Sequence, residues 1–105
     1  MRDVLVNHLK EKFPSNKYYA AEPEFALFTN RDIFTDDIWI YPGMQLPLQQ
    51  MKSGDVLIYD SLVMCGERGI YLDQIRIGSN LHQDTFFTFV NSRKQVSNYY
   101  IFVKP

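Results

Sequence analysis

Residues 84–104 read DTFFTFVNSRKQVSNYYIFVK, and this stretch decides the fold. Two runs rich in Phe, Tyr, Val, Ile and Thr flank the polar interruption NSRKQ, residues 91–95. Aromatic and β-branched side chains fit a pleated, half-buried surface, and small polar residues close turns. The stretch reads as two strands joined by a hairpin turn, its alternating aromatics divided between core and sheet surface.

Working upstream, KYYAA (17–21), EFALFT (24–29), DIWIY (37–41), DVLIYD (55–60) and GIYLDQIRI (69–77) are further strand candidates separated by Pro, Gly, Asn, Ser and Asp. The segment NRDIFTDD, residues 30–37, is turn-like. In GIYLDQIRI, Ile70 and Leu72 fall on one strand face and Ile75 and Ile77 on the other. A strongly bent strand, or two short ones, would bury both pairs. Only the N-terminus has helical periodicity. Leu5, Leu9 and Phe13 recur at four-residue spacing with Val6 alongside, Asp3 stands where it can cap, Lys10 and Lys12 suit the C-terminal dipole, and Pro14 stops the run. The spacing predicts a helix over roughly 2–13.

Consecutive strands with no second strong helical pattern argue for antiparallel pairing. The expected fold is therefore α+β: an N-terminal helix packed on a curved, mostly antiparallel sheet of five to seven strands, or a partly open barrel. The 105 residues make one domain, 1–105. Hydrophobic residues at 46% and charged residues at 22% are globular proportions rather than disordered ones.

Formal net charge is −1, which removes the overall positive excess that non-specific nucleic-acid or anionic-membrane binding draws on. No apolar run reaches the ~18 residues of a membrane span. MRDVLVNHLKEKF lacks the apolar core and cleavage site of a secretory signal, so a cytoplasmic protein is expected. The single cysteine, Cys65, rules out a disulfide framework within the chain.

Chemistry-bearing patterns are sparse. GxGxxG, P-loop, HExxH and GxSxG motifs are all absent. His8, Cys65 and His82 do not stand at metal-ligand spacing, and Asp36-Asp37, an adjacent carboxylate pair, suits a solvated turn. No cofactor is expected. A catalytic Cys65 would need His8 or His82 as its base, and no motif links them. Phe86, Phe87, Tyr99 and Tyr100, with Arg93, Lys94 and Lys104 nearby, are the pattern a single-stranded nucleic-acid binder would use.

SGDVLIYD (53–60) followed by GIYLD (69–73) resembles the paired strands of NlpC-type cysteine peptidases. In that family a Gly-Asp opens one strand and a histidine-led strand follows. The resemblance spans about a fifth of the chain and implies a degenerate cysteine hydrolase. The family's cysteine precedes the Gly-Asp strand, whereas no cysteine precedes residue 65 here, and Glu67 and Arg68 stand near the histidine position.

Two features favour protein association. PGMQLPLQQMKSG, residues 42–54, is a long proline-broken connection carrying Met44, Leu46, Leu48 and Met51. It reads either as a loop with one helical turn packed over a sheet end, or as a partner-binding arm. NYYIFVKP reads as a terminal strand, and terminal strands are often sheet edges that template another chain. Tyr99 and Tyr100 lie on it. The expected function is a small non-enzymatic protein-binding or assembly module that contacts another protein or itself through these six residues. Its size and motif poverty suit an accessory protein of a phage or mobile element, such as an inhibitor of a host protein or a virion component.

Overall fold

The four-residue spacing of Leu5, Leu9 and Phe13 builds helix α1, Asp3–Lys12, and buries all three with Val6 against the sheet. The chain is described by a computed structural model covering residues 3–21, 38–40, 44, 48–61, 64–65, 69–90 and 93–105. Past Lys12 the helix cannot continue through Pro14, which has no N–H to donate. The carbonyls at this end find a side-chain donor. The Tyr18 hydroxyl donates to the Phe13 carbonyl at 2.6 Å and reaches that of Leu9 at 3.3 Å. One buried phenol thus satisfies helix-end acceptors and ties the helix to the first strand.

Five strands follow: β1 Tyr18–Ala20, β2 Ile38–Trp39, β3 Val56–Asp60, β4 His82–Val90 and β5 Val96–Val103. Their spatial order is β2-β1-β3-β5-β4. β5 runs antiparallel to both β3 and β4, and these long pairings make the sheet mostly antiparallel. β1 pairs parallel with β2 and with β3. The expected α+β class, a helix on a mostly antiparallel sheet, is what the chain forms. Among the described residues the sheet is open, with β2 and β4 at its two edges, rather than closed into a barrel.

β3 explains the layering. All five of its residues are buried. Val56 and Ile58 join Leu5, Leu9, Phe13, Tyr18, Tyr99 and Ile101 beneath α1. Leu57 and Tyr59 join Tyr19, Ile40, Met51, Met64, Ile75 and Phe102 on the opposite face. An unbroken apolar run is what a strand covered on both faces requires.

Three expectations are corrected. First, the parallel β1–β3 pair was not foreseen, because no helical crossover is legible. Residues 21–55 nonetheless supply far more than the dozen or so residues that a parallel return needs. EFALFT and the turn-like residues 30–37 lie outside the described residues. Second, the C-terminal strand is not an edge: β5 is flanked by β3 and β4, and β4 takes the outer position. Third, GIYLDQIRI is not a bent strand. It contains a short helix α2, Leu72–Arg76, which carries Ile75 and Leu72 into the core opposite α1 and leaves Ile77 exposed. The Gln74 side-chain oxygen accepts the Tyr71 N–H at 2.6 Å, and the Ser79 hydroxyl donates to the Ile75 carbonyl at 2.5 Å. Asp73 in the first turn and Arg76 in the last suit the dipole. These end groups override the β-preference of the isoleucines.

The register of β4 on β5 slips between Gln83 and Thr85, a bulge at Asp84. The extra residue puts the Asp84 carboxylate under α1. Its Oδ2 lies 2.7 Å from His8 Nε2, and its Oδ1 pairs with Lys12 Nζ. Burial pushes the Asp84 pKa up, but hydrogen bonds from Lys12 and His8, reinforced by their charge, reverse this and hold it below the ordinary value. A depressed folded-state pKa stabilises the fold above the unfolded-state value and loses that contribution as pH falls through the folded one. Lys12 is exposed, so the effect is modest. Asp84→Asn should cost about 0.5–1 kcal/mol at neutral pH. Urea titrations should show this difference disappearing below about pH 4; a difference that persists at pH 2 would contradict the ion-pair account.

Candidate functional site

The 42–54 segment packs on the molecule where it is described. Leu48–Gln50 form one 3-10 turn. Met44 and Leu48 are partly buried against the core opposite α1, and Met51 is buried within it. Leu46 lies outside the described residues. The helical-turn reading of this loop therefore fits the geometry, and Met51 is core rather than contact surface. Tyr99 is corrected likewise: only 2% exposed, it faces α1 because its odd-numbered neighbours on β5 do. Tyr100 points the other way and is partly buried.

The Gly54-Asp55 of the peptidase-like stretch serves a turn. Gly54 has φ +90°, a left-handed conformation that costs glycine little. The Asp55 carboxylate accepts the Lys52 N–H at 2.9 Å and the Tyr19 hydroxyl at 3.4 Å. Burial first, then the Asp55 carboxylate, raises the Tyr19 pKa. Asn16 Nδ2 donates to the Gly54 carbonyl at 2.5 Å, joining this turn to the segment after α1.

Cys65 follows β3 in a wide helical turn, partly exposed and packed against the core opposite α1. His8 is on the other side of the sheet, bonded to Asp84 and edge-on to Phe13 and Phe87. His82 pairs with Val103, which packs on the α1 core, so its register places it on that side too. The sheet separates the thiol from both histidines. Glu67 and Arg68 lie outside the described residues. The neighbour Cys65 does have is Tyr59, whose hydroxyl donates to the Ile70 carbonyl at 2.6 Å. Burial above all, then Cys65, Asp60 and Tyr100, pushes the Tyr59 pKa well above its usual value, so the phenol remains a donor at neutral pH. Among the described residues, no group of three or more His, Cys, Asp or Glu is placed to hold a metal ion. No described helix is long and apolar enough to cross a membrane.

The nucleic-acid pattern is divided in a similar way. Phe87 and Tyr99 turn toward α1, while Phe86 and Tyr100 occupy the opposite face. Arg93 and Lys94 sit exposed at the hairpin turn, and Lys104 lies at the far end of β5 bonded to Asn80. The aromatics and cations therefore do not form one continuous track.

The surface that remains is the outer side of β4. Among the described residues no strand pairs with it. From Thr85 to Val90 it reads TFFTFV, without a charge, Pro or Gly. Phe86 is 55% exposed, and Val90 and Val96, paired across the hairpin, are about half exposed. Phe86 stacks on Tyr100 at 5.8 Å, and Tyr100 on Phe102 at 6.4 Å. The Arg76 guanidinium lies 5.1 Å over the Tyr100 ring and donates to Gln83 at 3.0 Å. The result is an apolar ladder with a polar rim beside an open backbone edge, which is how sheets accept another chain. Of the six residues expected to bind a partner, Tyr100 adjoins this surface. The sequence marks Phe86 only as a base-stacking residue and does not mark Val90 or Val96. The signal for Phe86 and Val90 is the uncharged run itself, but a local run does not say whether its strand is an edge.

No family model, curated protein or solved structure matches this chain.

Two measurements test these assignments. Tyr59→Phe removes the donor to a buried carbonyl and should destabilise the fold by about 1–3 kcal/mol in chemical denaturation; an unchanged midpoint would refute the bond. Cys65 in the native protein should alkylate with iodoacetamide at least about tenfold more slowly than in denaturant, since partial burial limits access. A faster native rate would reopen the hydrolase reading.

Proposed function

We propose that this chain is a non-enzymatic protein-binding or assembly module that takes another polypeptide along the outer edge of β4. The single observation that carries the reading is the edge itself: Thr85–Val90 is uncharged, pairs with no described strand on its outer side, and is bordered by exposed Phe86, Val90 and Val96. Natural edge strands are blunted by lysine, proline, bulges or cover. Here one such device, the bulge at Asp84, guards only the N-terminal half of β4. Added-strand binding would satisfy the open backbone groups, and the Phe86–Tyr100 ladder would supply apolar contact.

An inhibitor of a host protein or a joining component of a virion belongs to this class, and a cytoplasmic setting, suited to the free thiol of Cys65, belongs to the same proposal. The single-stranded nucleic-acid reading is disfavoured by the division of its aromatics between the two faces and by the net charge of −1.

A photo-crosslinking amino acid at Phe86, in the cell that makes the protein, tests the reading. Discrete protein adducts are expected from position 86, and none from a matched probe at the exposed Glu11 on α1. Equal, diffuse labelling from both positions, or no protein adduct from position 86, would overturn it.

A further inference from the structure

We infer that the occupant of the β4 edge is a second copy of this chain, paired antiparallel through residues 86–90 about a two-fold axis at Thr88. The inference rests on the edge-binding reading above and names its partner. Antiparallel pairing about an axis perpendicular to the sheet places residues of the same face opposite each other. Centred on Thr88, this register sets Phe86 against Val90 of the second copy on the exposed face, Phe87 against Phe89 on the α1 face, and Thr88 against itself. The faces are those that β5 already defines: Phe86, Thr88 and Val90 pair with Tyr100, Asn98 and Val96, and Phe87 with Tyr99.

Aromatic against β-branched and aromatic against aromatic are favourable cross-strand pairs, and the symmetry makes each occur twice. A centre at Phe87 would instead set Phe86 against Thr88, and a centre at Phe89 would set Val90 against Thr88, leaving the exposed apolar residues opposite hydroxyls. Charge does not oppose the pairing. The segment carries none, and the whole chain carries only −1. The ion pairs that hold α1 to β4 lie before the paired segment, at the Asp84 bulge, and within it the His8 ring meets Phe87 on the α1 face. In the antiparallel register the two bulges fall at opposite ends. A foreign segment could use the same backbone groups, but the segment is complementary to itself in both of its faces at one register.

Sedimentation velocity from about 1 to 200 μM should show a monomer–dimer equilibrium. Phe86→Lys should weaken it by at least about tenfold, with an unchanged circular dichroism spectrum. The register is tested in a Cys65→Ser background under mild oxidation. Thr88→Cys should form a disulfide-linked dimer, because residues directly opposite lie about 4.5–5.5 Å apart at Cα, within disulfide reach. Val90→Cys should not, because its counterpart is displaced by four residues, roughly 14 Å. A chain that stays monomeric throughout, with no Thr88→Cys dimer, overturns the inference, as does equal cross-linking at the two positions. If the chain is monomeric but a probe at position 86 captures a different protein, the second-copy inference fails and the edge-binding reading stands. If position 86 captures nothing, both fail.

Discussion

Strand β3 is buried on both of its faces, and the rest of the molecule is arranged to keep it so. Five consecutive side chains, Val56 to Asp60, are withdrawn from water. Its backbone groups need strands on either side, and β1 and β5 supply them. Its side chains need two separate covers. α1 provides one, and α2, Met51 and the turn around Met64 provide the other. Even its last residue is managed: the Asp60 carboxylate accepts the Ser97 hydroxyl at 2.9 Å from the adjoining strand. Full burial of an apolar side chain is worth about 1.5–3 kcal/mol, and four such side chains, Val56 to Tyr59, lie in this one strand.

From that centre the roles of the other strands follow. β5 alternates its faces, giving Tyr99 and Ile101 to the α1 core and Tyr100 and Phe102 to the other. β4, one strand further out, has less cover and is only half buried. Its bulge at Asp84 secures one half to α1 through His8 and Lys12, and the other half, uncharged, pairs with no described strand on its outer side. Tyrosine hydroxyls recur as fasteners where apolar layers meet polar backbone: Tyr18 at the end of α1, Tyr59 at Ile70, and Tyr19 at the Asp55 turn. Each lets an aromatic ring contribute area to the core while its oxygen satisfies a group that burial would otherwise strand.

The legibility of the candidate site in the sequence was uneven, for physical reasons. Leu5, Leu9 and Phe13 announce α1 because a helix repeats its face every three to four residues. Phe86, Phe87, Tyr99 and Tyr100 announce a hairpin because strands alternate. The same alternation made all four aromatics look available for contact, when Tyr99 and Phe87 are turned under α1. Met51 looked like part of an arm because its prolines and glutamines break any pattern, yet it fills the second core. The isoleucines of 70–77 looked like strand because their β-preference is strong, and the stop signals Gly78 and Ser79 were the cue to a short helix. A side chain added at Gly78 would meet the Gln74 carbonyl oxygen at 2.6 Å, so this stop has a steric basis.

By itself the sequence determined the local periodicities: one amphipathic helix, a set of short β-prone runs, a polar hairpin at 91–95, and the absence of a metal or nucleotide motif. These are properties of neighbouring residues, and neighbours are what a sequence displays. Only the tertiary structure decided strand order, the parallel placement of β1, which aromatics are spent in the core, and that β4 rather than the last strand is an edge among the described residues. Those outcomes depend on which distant segments meet, and that is set by covering β3 on both faces and pairing it on both sides, a condition no single stretch of the chain contains.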